Sequence, residues 1–543
     1  MLNGCMMDDY QLNLSYVLER AGSLFHRNEI VTRNADGSLF RYTYGDYYGR
    51  TKQLSNALKR LGVKEGDRVA TLCWNHHRHL EAYLAIPAMG AVLHTLNLRL
   101  HPSDLTYIAR HAEDTVIIAD RSLLPLLEQF KGDLPSLRHV VVIPDDGPTP
   151  AGYLDYEQLI AAESNQFDYP RLDERTAAAM CYTSGTTGNP KGVLYSHRSA
   201  MLHSMAVTMT DTLAVGENDA ILPVVPMFHA NAWGLPYAAV LTGAKMVFPG
   251  PNLQPEVLLD LMAREKVTLA AGVPTIWLGI LALLDANPGK WDLSSVRTMV
   301  IGGSAAPPAM IDGFKRRHNL IVTHAWGMTE TSPIGSLARV KHHMADAPHE
   351  EKLKVWSTQG FSVPFVETRH VDEEGKVLPW DGETMGELQV RGPWVAASYY
   401  NNSEQADRFT PDGWFKTGDI VTINADGYLT ITDRSKDVIK SGGEWISTVA
   451  LENAIMSHPA VLEAAVFAAV HPKWDERPLA AVVFKPGQSA TKDELRAHLE
   501  PHFAKFWLPD DFVVLDAIPK TSVGKFQKIK LREQYGDYLV KQA

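Results

Sequence analysis

"YTSGTTGNPKGVLYSH", Tyr182 to His197, is the stretch from which the chain is best read. An apolar run, "AAAMCYTS", reads as a strand and leads into it, and a helical pattern starts at His197. Between them lie glycines, threonines and a serine. A strand, a Gly-rich loop and a helix present backbone N–H groups and hydroxyls to an anion. The loop is not a Walker A motif, which needs Gly directly before Lys-Ser/Thr. Here Pro190 precedes Lys191 and Gly192 follows it. A surface turn without a ligand is the alternative at this level.

Outward from that loop, short apolar runs alternate with helical patterns such as Tyr44 to Leu61. Among the runs are "DRVATLCW", "TVIIAD", "AILPVVPMF" and "RTMVIGGS". Near-continuous apolar strands belong to sheets covered on both faces, joined by right-handed βαβ crossovers. The fold class is α/β, with a large N-terminal body of mixed and parallel sheets. From Gly386 the texture becomes Gly- and Asp-rich, with short alternating strands and turns such as Ala425-Asp426-Gly427. This predicts an antiparallel, barrel-like part. The chain then closes with a small α+β unit. The expected division is 1–433 and 434–543, hinged at the charged turn 433–437.

The chain has 543 residues and a formal net charge of −11, so nucleic acid is not the expected partner. Its last 24 residues hold six Lys/Arg against two acids, a local basic end suited to a phosphorylated ligand. Cysteines are limited to Cys5, Cys73 and Cys181, which gives no disulfide framework and fits a reducing, cytoplasmic setting. "VTLAAGVPTIWLGILALL", Val267 to Leu284, has the length of a membrane span. Gly272 and Pro274 split it into a buried strand and a helix. No transmembrane segment is expected, and peripheral membrane contact stays open.

Several other stretches carry candidate chemistry. In "HAWGMTETSP", His324 to Pro333, the Thr329–Glu330 pair ends a strand. A hydroxyl and a carboxylate there suit phosphate and Mg²⁺, while a helix first-turn carboxylate is the plainer reading of Glu330. Trp326 is either a flat face for a base or a core aromatic. Asp419 in "WFKTGD" is either a ribose acceptor or a turn residue. Arg434 in "DRSKDVIKSGGEWIS" is either its partner or a solvated charge. In the same stretch Gly442 and Gly443 allow close backbone approach. Lys525 in "PKTSVGK" is either a phosphate contact or a surface lysine. His76, His77 and His79 crowd Cys73, but no second cluster completes a metal site.

The order of these motifs resembles the adenylate-forming superfamily, which includes acyl-CoA synthetases, peptide-synthetase adenylation domains and luciferases. The resemblance covers about residues 10 to 535, with "GELQVRGP" also among its signatures. It implies that a carboxylate attacks the α-phosphorus of MgATP, and that the thiol of coenzyme A then takes the acyl group from acyl-AMP. Carried over by position, Ser184, Gly185, Thr186, Thr187, Gly188 and Lys191 cradle the β- and γ-phosphates. Thr183 and Glu330 are the Mg²⁺ candidates, and Thr329 meets the α-phosphate. His324, Ala325 and Trp326 border the adenine, with Gly302 and Gly303 on the acyl side. Asp419 and Arg434 hold the ribose. Lys525 serves the first step only. A mobile C-terminal domain turns about Lys436 and brings in the loop of Lys440, Gly442, Gly443 and Trp445 for the second.

"VPMFHANAW", Val225 to Trp233, resembles the acyl-pocket flank of fatty acyl-CoA synthetases. It places His229 by the carboxylate and Trp233 as a gate, with Val273 and Pro333 also at the pocket. Medium- or long-chain fatty acids are the expected substrates. Short acids such as 3-methylthiopropionate are the alternative if Trp277, Trp233 and Met205 shorten the pocket. Aryl acids, and a non-catalytic acyl-adenylate binder, are further alternatives. "MMDDYQLNLSYVLERA" resembles an arm exchanged between subunits in close fatty-acid ligases, which implies a homodimer.

Overall fold

The computed structural model describes residues 4–7, 9–183, 189–441, 444–520 and 526–542. The N-terminal part holds two large sheets. The first is seven-stranded, in the order Leu154–Asp155, His139–Ile143, Asp114–Asp120, Arg68–Leu72, Val92–Thr95, Ala177–Tyr182 and Gly192–Ser196. All its pairs are parallel except the last. The second is nine-stranded. Its parallel centre runs Val322–Gly327, Thr298–Ile301, Leu269–Gly272, Ala220–Pro223, Lys245–Phe248 and Glu29–Arg33, with antiparallel strands at both edges.

Apolar periodicity and caps explain the covering helices. Tyr44–Arg60 starts in a capping box, with the Asp46 N–H on Thr43 Oγ1 and the Thr43 N–H on Asp46 Oδ2. It buries Tyr44, Tyr47, Thr51, Leu54 and Leu58, a stripe at helical spacing. It ends before Gly62, whose φ of +83° is a left-handed conformation that glycine adopts without strain. The suspected membrane segment is the strand Leu269–Gly272 and the helix Pro274–Ala286. No helix among the described residues is long and apolar enough to cross a membrane.

Glu367–Val371, Gly386–Arg391, Phe415–Ile423 and Leu429–Arg434 form a four-stranded antiparallel sheet. The last sheet holds Glu444–Ile446, Ile439–Ser441, Asp475–Phe484 and Val461–His471, with Asp511–Val514 beside Asp475–Phe484. Thus Arg434 and Ile439 belong to different sheets. Separate apolar clusters back the two faces of the last sheet.

Candidate active site

The carboxyl ends of the parallel strands gather the predicted residues, as open α/β sheets do. Thr183 follows Ala177–Tyr182, Val273 follows Leu269–Gly272, Gly302 follows Thr298–Ile301, and Thr329 lies just past Val322–Gly327.

The opening loop differs from its sequence reading. It joins two antiparallel strands, with Tyr182 opposite Gly192, before the helix His197–Thr208 begins. Val193 and Tyr195 point into the core and Leu194 points out, a period-two pattern that the dominant Gly/Thr signal hid. The Thr183 N–H donates to Lys191 O at 2.9 Å, and the Lys191 N–H to Thr183 Oγ1 at 3.3 Å. Ser184, Gly185, Thr186, Thr187 and Gly188 lie outside the described residues, as do Gly442, Gly443 and Lys525.

Two tyrosines clamp the Thr329–Glu330 turn beside this hairpin. The Tyr195 hydroxyl donates to Thr329 O at 2.8 Å, and the Tyr399 hydroxyl to Glu330 Oε1 at 2.7 Å. The Ala396 and Tyr400 N–H groups donate to the carbonyls of Glu330 and Gly192. Glu330 is only 6% exposed. Lys191 Nζ stands 5.4 Å from the Tyr399 ring centroid. Burial and the Arg408 guanidinium hold the Lys191 ammonium below the usual lysine range. Lys436 is also held low, by burial and, among its charged neighbours, Arg434, Arg532 and Arg408. Cationic groups are therefore crowded together here, an arrangement that a polyphosphate would relieve.

Trp326 is not an open platform. It is buried, and a Cβ on Gly335 would stand 2.3 Å from its ring. Its indole N–H donates to Asp419 Oδ2 at 2.9 Å. Arg434 Nε meets Asp419 Oδ1 at 2.8 Å, and the two residues face each other across paired strands. Asp419 is 1% exposed while the Arg434 side chain is 40% exposed, so the pair has a buried anion and an accessible cation. His324 is buried, and burial pushes its imidazole down to about 4, so it is neutral near pH 7.

The acyl-side residues also come together. A Cβ on Gly302 would lie 3.2 Å from Ala325 O and 3.3 Å from the Trp233 ring, and one on Gly303 would lie 3.4 Å from Val273 Cγ1. The segment Ala230, Asn231, Ala232, Trp233 and Gly234 has φ values of 43°, 52°, 49°, 58° and 72°. A left-handed turn costs non-glycine residues about 1–2 kcal/mol each, so surrounding contacts must hold it. The Asn75 side chain donates to Pro223 O and Val225 O and accepts from the Met227 N–H. The Tyr83 hydroxyl donates to Met227 O, Thr95 Oγ1 to Phe228 O and the Cys181 thiol to Asn231 Oδ1. A Cβ on Gly234 would stand 2.5 Å from the His203 ring, whose Nε2 accepts from the Ile334 N–H next to Pro333. His229 heads this turn, its N–H donating to Pro226 O at 3.0 Å.

Of the two other pocket-shortening candidates, Trp277 sets its ring against Gly272, next to Val273, and Met205 faces outward. Trp277 is buried in a separate core cluster. Met205 is 43% exposed and lines an outer groove of about 610 Å³ with Tyr10, Tyr16 and Arg20. His203 occupies the inner face of that helix, and two residues of helical rotation turn Met205 outward. In the cysteine–histidine cluster Asp120 joins Cys73 and His76 as a third possible ligand, and these groups are hydrogen-bonded to one another and to the backbone. His76 Nδ1 accepts from the His79 N–H, His76 Nε2 donates to Asp120, and the Cys73 thiol donates to Ile118 O. Lys440 pairs through its backbone with Trp445, and its Nζ meets Glu373 Oε1 at 2.6 Å.

The sequence reading missed Tyr195, Tyr399, His203 and Asn75. The doubled tyrosine in "ASYYNN" was the one visible signal.

The Thr329–Glu330 turn beside Lys191, and the buried Asp419 carboxylate with its accessible Arg434 partner, suit an adenylate-binding enzyme of the two-part α/β kind. The chain belongs to the AMP-binding enzyme family, matching it over residues 19–400, with the AMP-binding enzyme C-terminal domain at 450–525. It is 51% identical to the long-chain-fatty-acid–CoA ligase of Thermus thermophilus, over 98% of this chain and 97% of that protein. It is 44% identical to the 3-methylmercaptopropionyl-CoA ligase of Ruegeria lacuscaerulensis, over 97% of this chain and 98% of that protein. Its fold matches the anthranilate CoA ligase AuaEII in complex with anthranoyl-AMP, with a TM-score of 0.87, 28% identity and coverage of 98% and 99%.

Proposed function

We propose that the protein is an AMP-forming acid–thiol ligase. It activates a medium- or long-chain fatty acid with ATP and passes the acyl group to coenzyme A. The observation that supports it most is the junction at Tyr195 and Tyr399, which sets Thr329 and Glu330 beside Thr183 and Lys191. Two distant motifs thereby form one site with cations for phosphate and oxygen donors for a hard metal.

In the first half-reaction Lys191 holds the β- and γ-phosphates with Ser184, Gly185, Thr186, Thr187 and Gly188. Thr329 faces the α-phosphate and Lys525 supports its developing charge. Asp419, oriented by Trp326, accepts from the ribose hydroxyls beside Arg434. His324 and Ala325 border the adenine, with Gly303 on its acyl side. The donor set fits Mg²⁺: the buried Glu330 carboxylate and the Thr183 hydroxyl are both oxygen donors, and phosphate oxygens of ATP would be further ligands. When bound, Mg²⁺ neutralises phosphate charge. His229, Trp233, Gly302, Val273 and Pro333 receive the acid. In the second half-reaction the C-terminal part, 434–543, turns about Lys436 and the paired strands carrying Lys440 and Trp445 serve the thiol.

The likeness to the Ruegeria 3-methylmercaptopropionyl-CoA ligase supports a second reading, a short sulfur-containing acid. We also propose a cytoplasmic homodimer, supported by the three free cysteines and by exposed Met6, Met7 and Tyr10 on the N-terminal arm. Pyrophosphate release with ATP and acids from C2 to C18 tests the proposal. Release peaking with fatty acids supports it, and release with none of them refutes it.

A further inference from the structure

Asp433 joins the two parts of the chain in a way that none of the roles above uses. Its backbone belongs to the four-stranded sheet, opposite Ile420 and next to Arg434. Its carboxylate is buried. Oδ1 accepts from the Arg434 N–H at 2.8 Å, and Oδ2 accepts from the Thr448 N–H at 2.7 Å. Thr448 is the first residue of the helix Thr448–Met456, so the carboxylate sits on an N-terminal amide that the helix itself leaves unpaired. The Ser447 hydroxyl returns the contact by donating to Thr432 O.

The counter-charge comes from the end of the chain. Lys528 Nζ meets Glu452 Oε1 at 2.7 Å and donates to Thr448 Oγ1. Burial pushes the Glu452 carboxyl up to about 7, and Asp433 is raised by the same cause. Burial works to lower Lys528, but Glu452 and Asp433 outweigh it and hold the ammonium above its ordinary value. Arg532, one turn further along the Lys528–Tyr535 helix, donates to Lys436 O and meets Asp437 Oδ1, both at 2.9 Å. A buried carboxylate shared between two elements is costly to leave unpaired. The contact therefore favours one relative placement of the two parts over any placement that breaks it.

We propose that Asp433 is a positioning residue: its carboxylate ties the strand bearing Arg434 to the first turn of the Thr448–Met456 helix, and so couples nucleotide occupancy to the orientation of the C-terminal part. Resting on the ligase reading, it explains how ribose contact at Asp419 and Arg434 is felt one residue away, at the junction. A ligand shifts such an equilibrium only through different contacts in its two states, and the contact made or broken between the two parts is the Thr448 N–H on Asp433 Oδ2.

Two variants cut the tie from opposite sides. Asp433→Asn removes the charge and keeps the shape. Thr448→Pro removes the donor at a helix position that accepts proline. Tryptic nicking of the full-length protein at Arg434, Lys436 and Lys440, with and without ATP, reads the junction directly. The half-reactions are read as pyrophosphate release and as thioesterification of supplied acyl-AMP. We expect ATP to change wild-type nicking and to leave both variants unaffected. The ratio of the half-reaction rates should shift about fivefold or more in each variant. An ATP effect on nicking equal to wild type in both variants, or equal loss of both half-reactions, overturns the inference. Absence of pyrophosphate release in the wild type would overturn the ligase reading instead, while the ATP-dependent nicking still judges the tie.

Discussion

The Trp326 indole N–H and the Asp419 carboxylate are hydrogen-bonded at 2.9 Å across 93 residues of sequence. The tryptophan therefore acts through the aspartate. It fixes one carboxylate oxygen while Arg434 fixes the other, and the remaining lone pairs are the ones we propose for ribose hydroxyls. Trp326→Phe keeps the buried ring and removes the donor. Hydrogen bonds to charged groups are worth about 1.5–3 kcal/mol. We predict that KM for ATP rises about tenfold while KM for the acid is unchanged, as steady-state kinetics will show.

The Tyr399–Glu330 contact yields a graded pair of variants. Glu330→Gln removes the carboxylate charge and should lower adenylation about a hundredfold or more. Tyr399→Phe removes only the orienting hydroxyl and should cost about tenfold or less. Pyrophosphate release titrated with Mg²⁺ checks both, and the glutamine variant should need more Mg²⁺ for half-maximal rate.

Lys191 predicts a pH dependence of ATP binding. In the free protein burial and Arg408 hold its pKa below the ordinary value. Bound phosphates favour the ammonium and raise it, so binding takes up a proton wherever free Lys191 is neutral. ATP affinity should weaken as pH rises through the depressed pKa. Lys191→Arg, which stays charged, should flatten that limb in ATP titrations from pH 7 to 10.

Stability should fall on mild acidification. Burial pushes His79 and His203 to about 3, and His197 and His324 to about 4. Unfolded histidine titrates near 6.5. Below that pH the unfolded chain takes up protons that the native chain does not. The stability from these groups is thus complete above pH 6.5 and is lost down to about pH 4 for His197 and His324 and to about pH 3 for His79 and His203. Each costs about 1.4 kcal/mol per pH unit across the window. Glu452, raised to about 7, acts in the opposite direction between its unfolded value and pH 7, and the histidines outnumber it. Thermal melting at pH 7.5 and 5 should show the lower midpoint at pH 5, and His203→Gln should reduce the difference.

Trp233 predicts a change in selectivity. Its ring lies against Gly302, at the acyl side we propose, and its backbone is in a left-handed turn. Trp233→Ala should alter the chain-length profile in an acid panel and leave KM for ATP within about twofold.

The sequence was most legible where motifs are contiguous. Gly- and Thr-rich runs, the Thr329–Glu330 pair and the charged turn at 433–437 are local patterns with local chemistry. The α/β alternation and the split of Val267–Leu284 likewise follow from periodicity and Pro274. What escaped were partners set by tertiary packing. Tyr195 is 134 residues from Thr329, and Tyr399 is 69 from Glu330. A tyrosine in an apolar strand carries no mark of its hydroxyl partner. Trp326 supported two readings because an aromatic in a strand can face a ligand or a core. Gly335, which admits its ring, is what buries it. Met205 was misread because its helix phase could not be set without knowing that His203 points inward.

The most direct test of the central claim is product stoichiometry. The intact enzyme is given ATP, Mg²⁺, coenzyme A and a C8–C16 fatty acid, and nucleotides, phosphates and thioesters are quantified together. One AMP, one pyrophosphate and one acyl-CoA are expected per turnover, with acyl-AMP accumulating when coenzyme A is omitted. ADP with orthophosphate in place of AMP with pyrophosphate would contradict that claim.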